Sequence, residues 1–303
     1  MSVPRLCYSR LVASHPPQDG PFDRSLRRLR RDRAAAGDAD YLRRRAADEI
    51  VDRLDLVRRD LRTALDLGCG HAYLSERLRV RGLDVVAADA GRLFSGRARG
   101  VQCDEDRLPF GDGRFDLVVS VGALDTVNDL PGALALIRRT LRPDGLFLAA
   151  FAGAGSVPRL RQAMRMAEEA DGGAAASPRI HPQIDVRAAG DLLGRAGFAL
   201  PVVDCDSVRV RFRDFSQLVA DLRAMAATNL LLARFRRPLG RIAYAAAAAE
   251  FARCAEEDGK TTETFEILHL SGWAPSPDQP SPARRGSATA SLADALRGPN
   301  RPD

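Results

Sequence analysis

A short apolar run, Thr63–Leu67, ends in Asp66-Leu67-Gly68-Cys69-Gly70 and leads at once into a helical stretch, Tyr73–Val80. This strand, glycine turn and helix constrain the fold more than any other feature of the chain. Glycines at such a turn let the backbone double back sharply and approach a ligand closely. The strand signal then recurs without the glycines. Asp84–Ala88, Phe115–Val121 and Gly145–Phe151 read as apolar strands. Asn128–Leu141 has helical spacing, and Pro143-Asp144-Gly145 makes the turn out of it. Strands alternating with helices predict βαβ units and a parallel sheet.

The chemistry of the turn narrows its ligand. A dinucleotide fingerprint needs a third glycine three residues after the second. Tyr73 stands there. A pyrophosphate is also poorly served by the carboxylate of Asp66, whereas S-adenosylmethionine has no phosphate and carries an ammonium and a sulfonium, which that carboxylate suits. Asp89 follows Gly70 by 19 residues, at the end of the second strand. An acid there is placed to accept both ribose hydroxyls. Asp104 and Glu105, ahead of Leu108-Pro109-Phe110, offer a carboxylate for the adenine amino group and an apolar seat for the ring.

In order and spacing, Leu65–Gly70, Asp89, Asp104, Leu108–Phe110 and Phe115–Ser120 resemble the successive motifs of the class I S-adenosylmethionine-dependent methyltransferases. The resemblance implies a Rossmann-like α/β fold, a doubly wound seven-stranded sheet with its last strand antiparallel. It implies S-adenosylmethionine as cofactor, with Asp66, Gly68 and Gly70 facing the methionine end, Asp89 the ribose and Asp104 the adenine. Cys69, Glu105 and Ser120 complete the expected cofactor contacts.

A closer resemblance runs through nearly the whole chain. Phe22-Asp23-Arg24, Asp40-Tyr41-Leu42, Val127-Asn128-Asp129-Leu130-Pro131, Ser177-Pro178-Arg179, Arg195-Ala196-Gly197-Phe198, Asp221–Met225, Thr228-Asn229 and Arg285–Thr289 are similar to bacterial relatives of the mitochondrial complex I assembly factor that acts as a protein-arginine hydroxylase. That group is in turn similar to the malonyl-acyl-carrier-protein methyltransferases of biotin synthesis. Three departures stand out. Asp125-Thr126 replaces the family's His-Trp, removing an aromatic wall and an imidazole beside the expected pocket. Gly153-Ala154-Gly155-Ser156 replaces Gly-Gly-Asp-Thr, and Ala72 replaces a glycine of the loop.

Asp125, Arg179 and Arg223 are the candidate substrate contacts. The catalytic residues are not identified by the sequence, and the lack of an obvious catalytic dyad does not argue against a methyltransferase, because in-line transfer from a sulfonium needs mainly a held geometry. A base is required only for a protonated nucleophile. Ser120-Val121-Gly122-Ala123 stands where amino-group methyltransferases carry Asn/Asp-Pro-Pro-aromatic, which argues against transfer to adenine or a glutamine amide. His15, His71, His181 and His269 show no ligand pattern, so no metal is expected.

The rest of the sequence sets the outer bounds. The net charge of +6 comes almost wholly from arginine, Lys260 being the one lysine. Arg24–Arg58 reads as helical, with Leu26, Leu29, Tyr41, Leu42, Ile50, Leu54 and Val57 as its apolar stripe and the run Arg24–Arg33 as a solvated face. Without interleaved aromatics or a nucleic-acid module, that run predicts no nucleic-acid partner. No stretch approaches the ~18 apolar residues of a membrane span. Five unpaired-looking cysteines fit a reducing cytoplasm. The expected organisation is a tail at 1–20, a helical segment at 21–60, a methyltransferase domain at 61–274 with a helical insertion at 215–261, and an irregular tail at 275–303.

Three functions follow. The first is methyl transfer to a protein or acyl-carrier substrate, linked to assembly of the respiratory NADH dehydrogenase (complex I) and to one of its subunits as partner. The second is protein-arginine hydroxylation in that assembly. The third is a weakly catalytic or non-catalytic cofactor-binding assembly factor.

Overall fold

The computed structural model describes residues 20–172, 178–280 and 291. Ser177 and Arg285–Thr289, which carry part of the resemblance, lie outside them. Seven strands form one sheet in the order β3-β2-β1-β4-β5-β7-β6. They are β1 (Thr63–Leu67), β2 (Asp84–Asp89), β3 (Val101–Gln102), β4 (Phe115–Val121), β5 (Leu141–Ala152), β6 (Ala199–Phe212) and β7 (Thr261–Trp273). The first five pair in parallel, and β7 runs antiparallel to both β5 and β6. This is the expected fold. Strand order reverses between β1 and β4, and ligands of open α/β sheets bind in the crevice at the carboxyl ends of strands at such a switch point.

Helices cover both faces. On one face, Ile50 of α2 (Tyr41–Asp55), Leu78 of α3 (Tyr73–Val80), Ala163 of α6 (Pro158–Ala170) and Phe251 of α9 (Arg241–Arg253) pack with Leu117, Val119 and Val121. On the other, Leu134 and Ile137 of α5 (Leu130–Thr140) and Leu193 of α7 (Val186–Arg195) pack with Leu65, Leu67 and Val118. The Phe147 ring stacks on Phe198 at 5.2 Å between centroids. Both faces being covered explains why the central strands read as continuous apolar runs rather than alternating ones.

The amino-terminal segment departs from its expected pattern. Two helices, α1 (Arg24–Ala34) and α2, replace one continuous stretch. The break falls at Gly37, which packs against Ala224, where a β-carbon would meet the Ala224 side chain at 3.1 Å. The burial of α1 is also inverted. Leu29 is 46% exposed, whereas Arg27 and Arg31 are 5% and 3% exposed. The arginine face is therefore no solvated face; it is the face that packs on the sheet's crevice.

The other differences are local. β5 begins four residues earlier than expected, because Asp144 takes a positive φ of 61° and the pairing shifts register between Phe115 and Leu117 instead of breaking. The short α4 (Arg92–Arg97) and β3 had no clear signal. Between β6 and β7 stand α8 (Phe215–Ala224) and α9. The Asp214 carboxylate caps α8, accepting from the Gln217 N–H at 2.8 Å. Phe22 packs with Leu230 and Leu231 of the α8–α9 connection, tying the start of the chain to it. Among the described residues, no helix is long and apolar enough to cross a membrane.

Candidate cofactor and substrate site

The glycine loop is pinned from below. The Gly68 and Cys69 N–H groups both donate to the Ala88 carbonyl, at 2.7 and 3.0 Å. Gly68 and Gly70 take positive φ angles of 81° and 54°, a region that costs other residues strain. A β-carbon on Gly68 would strike Ala123, so the loop lies flat against the end of β4. Under it is a small pocket lined by Asp40, Arg43, Asp66, Cys69, His71 and Tyr73, among others. The Asp66 carboxylate accepts from the Ser75 hydroxyl at 2.6 Å. Burial pushes its carboxyl pKa up to about 6, against the Ser75 hydrogen bond. The Cys69 thiol is likewise pushed up by burial. His71 meets Phe94 edge-on at 5.0 Å.

The expected adenosyl carboxylates gather at the ends of β2 and β3, and each has an arginine of α1 on it. Arg31 Nε donates to Asp89 Oδ1 at 2.6 Å, and Arg31 Nη2 donates to Asp89 Oδ2. The same carboxylate accepts from the Gly91 N–H at 2.7 Å and the Gly70 N–H at 3.0 Å. Its four acceptor sites are thereby filled. Burial would raise the Asp89 pKa, but the charge and hydrogen bonds of Arg31, with the two backbone donors, hold it below the usual range. Arg27 forks onto Glu105 at 2.7 and 2.8 Å and also reaches the Ala123 carbonyl and the Thr126 hydroxyl, both at 3.1 Å. Arg28 donates to Asp104 at 2.5 Å. Arg24 forks onto Asp106 at 2.6 and 2.5 Å.

Residues 24, 27, 28 and 31 lie on one helical face, so a single helix brings all four guanidiniums to the crevice. Glycines that admit a close approach and acids at the ribose and adenine positions match an adenosyl group in kind. Arg27 and Arg31 stand on the same oxygens, so an adenosine held there would need those two side chains swung aside.

Beyond the loop opens a cavity of about 470 Å³. Leu42, Val121, Phe215, Tyr244, Phe265 and Ile267 supply much of its apolar wall. All three predicted substrate residues, Asp125, Arg179 and Arg223, line it. Arg179 Nε approaches Glu168 at 3.4 Å without a well-aligned hydrogen bond. Arg43 and His181 also line the cavity, and neither was expected. The His181 Nε2 accepts from the Leu230 N–H at 2.8 Å, and burial lowers its pKa, so the ring is neutral at pH 7. Arg43 and Val121 line the small pocket as well, forming the wall that the two spaces share.

Three expected or considered residues sit elsewhere. Ser120 shares a face of β4 with Val118, and its buried hydroxyl has no partner and lines neither space. His269 is buried in β7 and meets Glu49 at 3.1 Å. Asp129 caps α5, accepting from the Gly132 N–H at 2.8 Å. Among the described residues, no group of three or more His, Cys, Asp or Glu is placed to hold a metal ion.

Residues 65–149 match a family model described as a methyltransferase domain. Over 287 residues the chain is 38% identical to the mitochondrial arginine-hydroxylase NDUFAF5 of Danio rerio, spanning 90% of this chain and 88% of that one. It is 32% identical over 276 residues to the malonyl-[acyl-carrier protein] O-methyltransferase of Laribacter hongkongensis, spanning 84% of this chain and 90% of that one. Among solved structures it resembles the YcgJ protein of Bacillus subtilis with a TM-score of 0.52 at 13% identity, over 77% of this chain and 99% of that one, which is a likeness of fold.

Proposed function

This chain belongs to the class I S-adenosylmethionine-dependent methyltransferase superfamily, in the group that holds NDUFAF5 and the malonyl-acyl-carrier-protein methyltransferases, and from that premise we propose that it methylates a group presented on a protein or an acyl carrier. One observation carries the reading. The pocket under the glycine loop and the 470 Å³ cavity share Arg43 and Val121 as a wall, at the carboxyl ends of β1 and β4. A methyl donor seated on the loop is thereby next to an apolar space deep enough for a substrate arm.

When bound, S-adenosylmethionine supplies an electrophilic methyl whose carbon–sulfur bond breaks as the nucleophile's bond to carbon forms, leaving a neutral thioether. The protein's part is orientation. Gly68 and Gly70 would give the backbone approach. Asp66 would face the methionine end, Asp89 the ribose hydroxyls, and Asp104 or Glu105 the adenine amino group. Asp125 lines the cavity and would be the group to take a proton from a protonated nucleophile. The insertion carrying α8 and α9 would serve as a lid, its Phe215, Tyr244 and Leu239 screening the cavity from water.

A second reading, arginine hydroxylation in complex I assembly, is favoured by the 38% identity to NDUFAF5 and by Asp125, a carboxylate that suits a guanidinium. Mass spectrometry of the respiratory NADH dehydrogenase and of carrier proteins from a deletion strain separates the two. A missing methylene supports methyl transfer. A missing oxygen overturns it in favour of hydroxylation. Impaired assembly with no missing modification points to a non-catalytic cofactor-binding role.

A further inference from the structure

Beside the 470 Å³ cavity lies a second hollow of about 540 Å³, and the two share Met164, Arg179, Asn229, Pro238 and Leu239 as a common margin. Segments far apart in sequence shape this groove. α1 supplies Leu26 and Arg30, α6 supplies Met164, and the α8–α9 connection supplies Asn229 and residues 234–239. Arg30, Arg179, Arg234, Arg236 and Arg237 all line it, and no acid is among its described lining residues. Two carboxylates stand nearby. Asp23 meets Arg234 at 3.2 Å, and Glu168 meets Arg179 at 3.4 Å. Arg30 is held by a carbonyl instead, that of Asn229, at 2.5 Å. Burial lowers the Arg30 pKa, and the like charges of Arg234, Arg33 and Arg223 lower it further, against the field of Asp23. Arg236 and Arg237 are exposed and make no ion pair with a described residue. Guanidiniums crowded into one groove repel one another, and an anion laid among them relieves that cost.

The position of the groove narrows its occupant. Because it shares a margin with the cavity, what lies in it is joined to the group that enters the cavity. A single phosphate is satisfied by two or three such donors. Arginines contributed by α1, by the segment before α7 and by the α8–α9 connection call instead for several anions at intervals along a chain. Each planar fork matches a carboxylate in two parallel bonds. Leu26, Met164, Pro238 and Leu239 lie among the arginines and give apolar contact to the side chains between the acids. The Arg179 guanidinium also stands over the Phe235 ring, 6.0 Å from its centroid, which holds that charge at the margin.

We propose that this groove docks an acidic stretch of polypeptide, the chain that flanks the group modified in the cavity. This rests on the cavity being the substrate site, and it selects a polypeptide over the phosphate arm of an acyl carrier. The test is fluorescence anisotropy of the full-length protein with a labelled oligoglutamate peptide. The wild type is expected to bind it, more weakly as salt is raised, and not to bind oligolysine. The double variant Arg236→Ala/Arg237→Ala is expected to weaken binding by about tenfold. A charge-matched control outside the groove, Arg187→Ala/Arg195→Ala at exposed positions of α7, is expected to stay within about twofold. Melting temperatures equal to that of the wild type report that both variants are folded. Equal weakening in the two double variants would trace the binding to net charge and overturn the groove, as would a wild type that binds no peptide. If 4′-phosphopantetheine displaces the peptide and itself binds more tightly, the occupant is a carrier's arm and the polypeptide assignment fails. Anisotropy needs neither cofactor nor turnover, so failure here is distinct from failure of the methyl-transfer reading, which the missing methylene decides.

Discussion

The two halves of the crevice solve opposite electrostatic problems. At the proposed adenosyl end, the side chains of four acids, Asp89, Asp104, Glu105 and Asp106, are buried, and four arginines of α1 neutralise them. In the adjoining cavity the balance reverses. Arg43 and Arg223 stand without ion pairs among the described residues, Arg179 has a loose one, and Asp125 is the acid among the cavity's lining residues. The proposed adenosyl end is thus closed by the protein's own charges, whereas the cavity keeps arginines without a close carboxylate partner. A ligand that binds across both must displace guanidiniums at one end and meets unpaired ones at the other. Cofactor binding is therefore expected to move α1. Because Arg30 donates to the Asn229 carbonyl at 2.5 Å and Phe22 packs on Leu231, that movement reaches the α8–α9 connection beside the cavity.

The largest effect tests whether the paired acids belong to the cofactor at all. Gly68→Arg places a side chain where even a β-carbon strikes Ala123, and at a positive φ. S-adenosylhomocysteine binding measured by calorimetry is expected to fall by more than about a hundredfold. Asp89→Ala should lose binding comparably, since no other group there accepts two ribose hydroxyls. Normal binding in Asp89→Ala would mean that Asp89 serves Arg31 alone and that the adenosyl assignment is mistaken.

Arg31→Met asks the reverse question. It strands Asp89 in a site that is 0% exposed, and breaking a buried pair from one side typically costs about 3–5 kcal/mol. The apo protein should melt lower by several degrees. If Arg31 competes with the ribose, the stabilisation that S-adenosylhomocysteine confers on the variant should exceed that of the wild type. A smaller ligand-induced rise in Tm would show that Arg31 helps hold the cofactor, and the contrast between the two ends would collapse.

How much of this was legible from the sequence depends on range. The strands and the glycine loop are local signals, since apolar runs and a Gly-x-Gly turn carry their meaning within ten residues. Asp89 could be put at the end of β2 because its spacing from the loop is set by one βα unit, whereas Asp104 lies a further helix and strand on, past α4 and β3. The arginine pairing could not be read the same way. Arg31 meets Asp89 across 58 residues and Arg27 meets Glu105 across 78. Charges at i, i+3, i+4 and i+7 describe a solvated face equally well. One clue was available: Leu29 lies opposite those arginines, so one of the two faces had to be explained, and four acids in a crevice require counter-ions. Arg43 gave no signal, because an arginine on a helix is ordinary until the glycines packed on it are known.

Protonation gives a smaller, graded effect at the open end. Asp66 has a pKa of about 6 in the folded chain, raised by burial from the usual carboxylate value. The sign follows directly. The protonated form is the one the fold favours, so this contribution to stability is complete below the unfolded pKa and is lost as pH rises through about 6. A cofactor ammonium seated at Asp66, as proposed, would prefer the ionised form. Affinity for S-adenosylhomocysteine should therefore rise, by about three- to tenfold, between pH values of about 5 and 7, with proton release on binding. Asp66→Asn should flatten the profile. A profile that keeps its shape in the Asn variant would assign the titration to another group.

The smallest expected effect separates burial from pairing within α1 itself. Arg28 and Arg31 both fork onto an acid that is almost fully buried, from the same helix and three residues apart. They differ in their own exposure, which is 48% for the Arg28 side chain and 4% for that of Arg31. An exposed guanidinium is screened by water, and its removal admits solvent to Asp104, so Arg28→Ala should cost no more than about 1 kcal/mol. S-adenosylhomocysteine affinity should change by less than about threefold, because an adenine amino group can use Asp104 with or without a solvated partner. Thermal melts and calorimetry on Arg28→Ala beside Arg31→Met therefore read the same contact with and without burial. Equal losses in the two variants would mean that α1 acts as one rigid plate of charge. A small loss for Arg28 and a large one for Arg31 would locate the gate at the single guanidinium that stands on Asp89, the proposed ribose carboxylate.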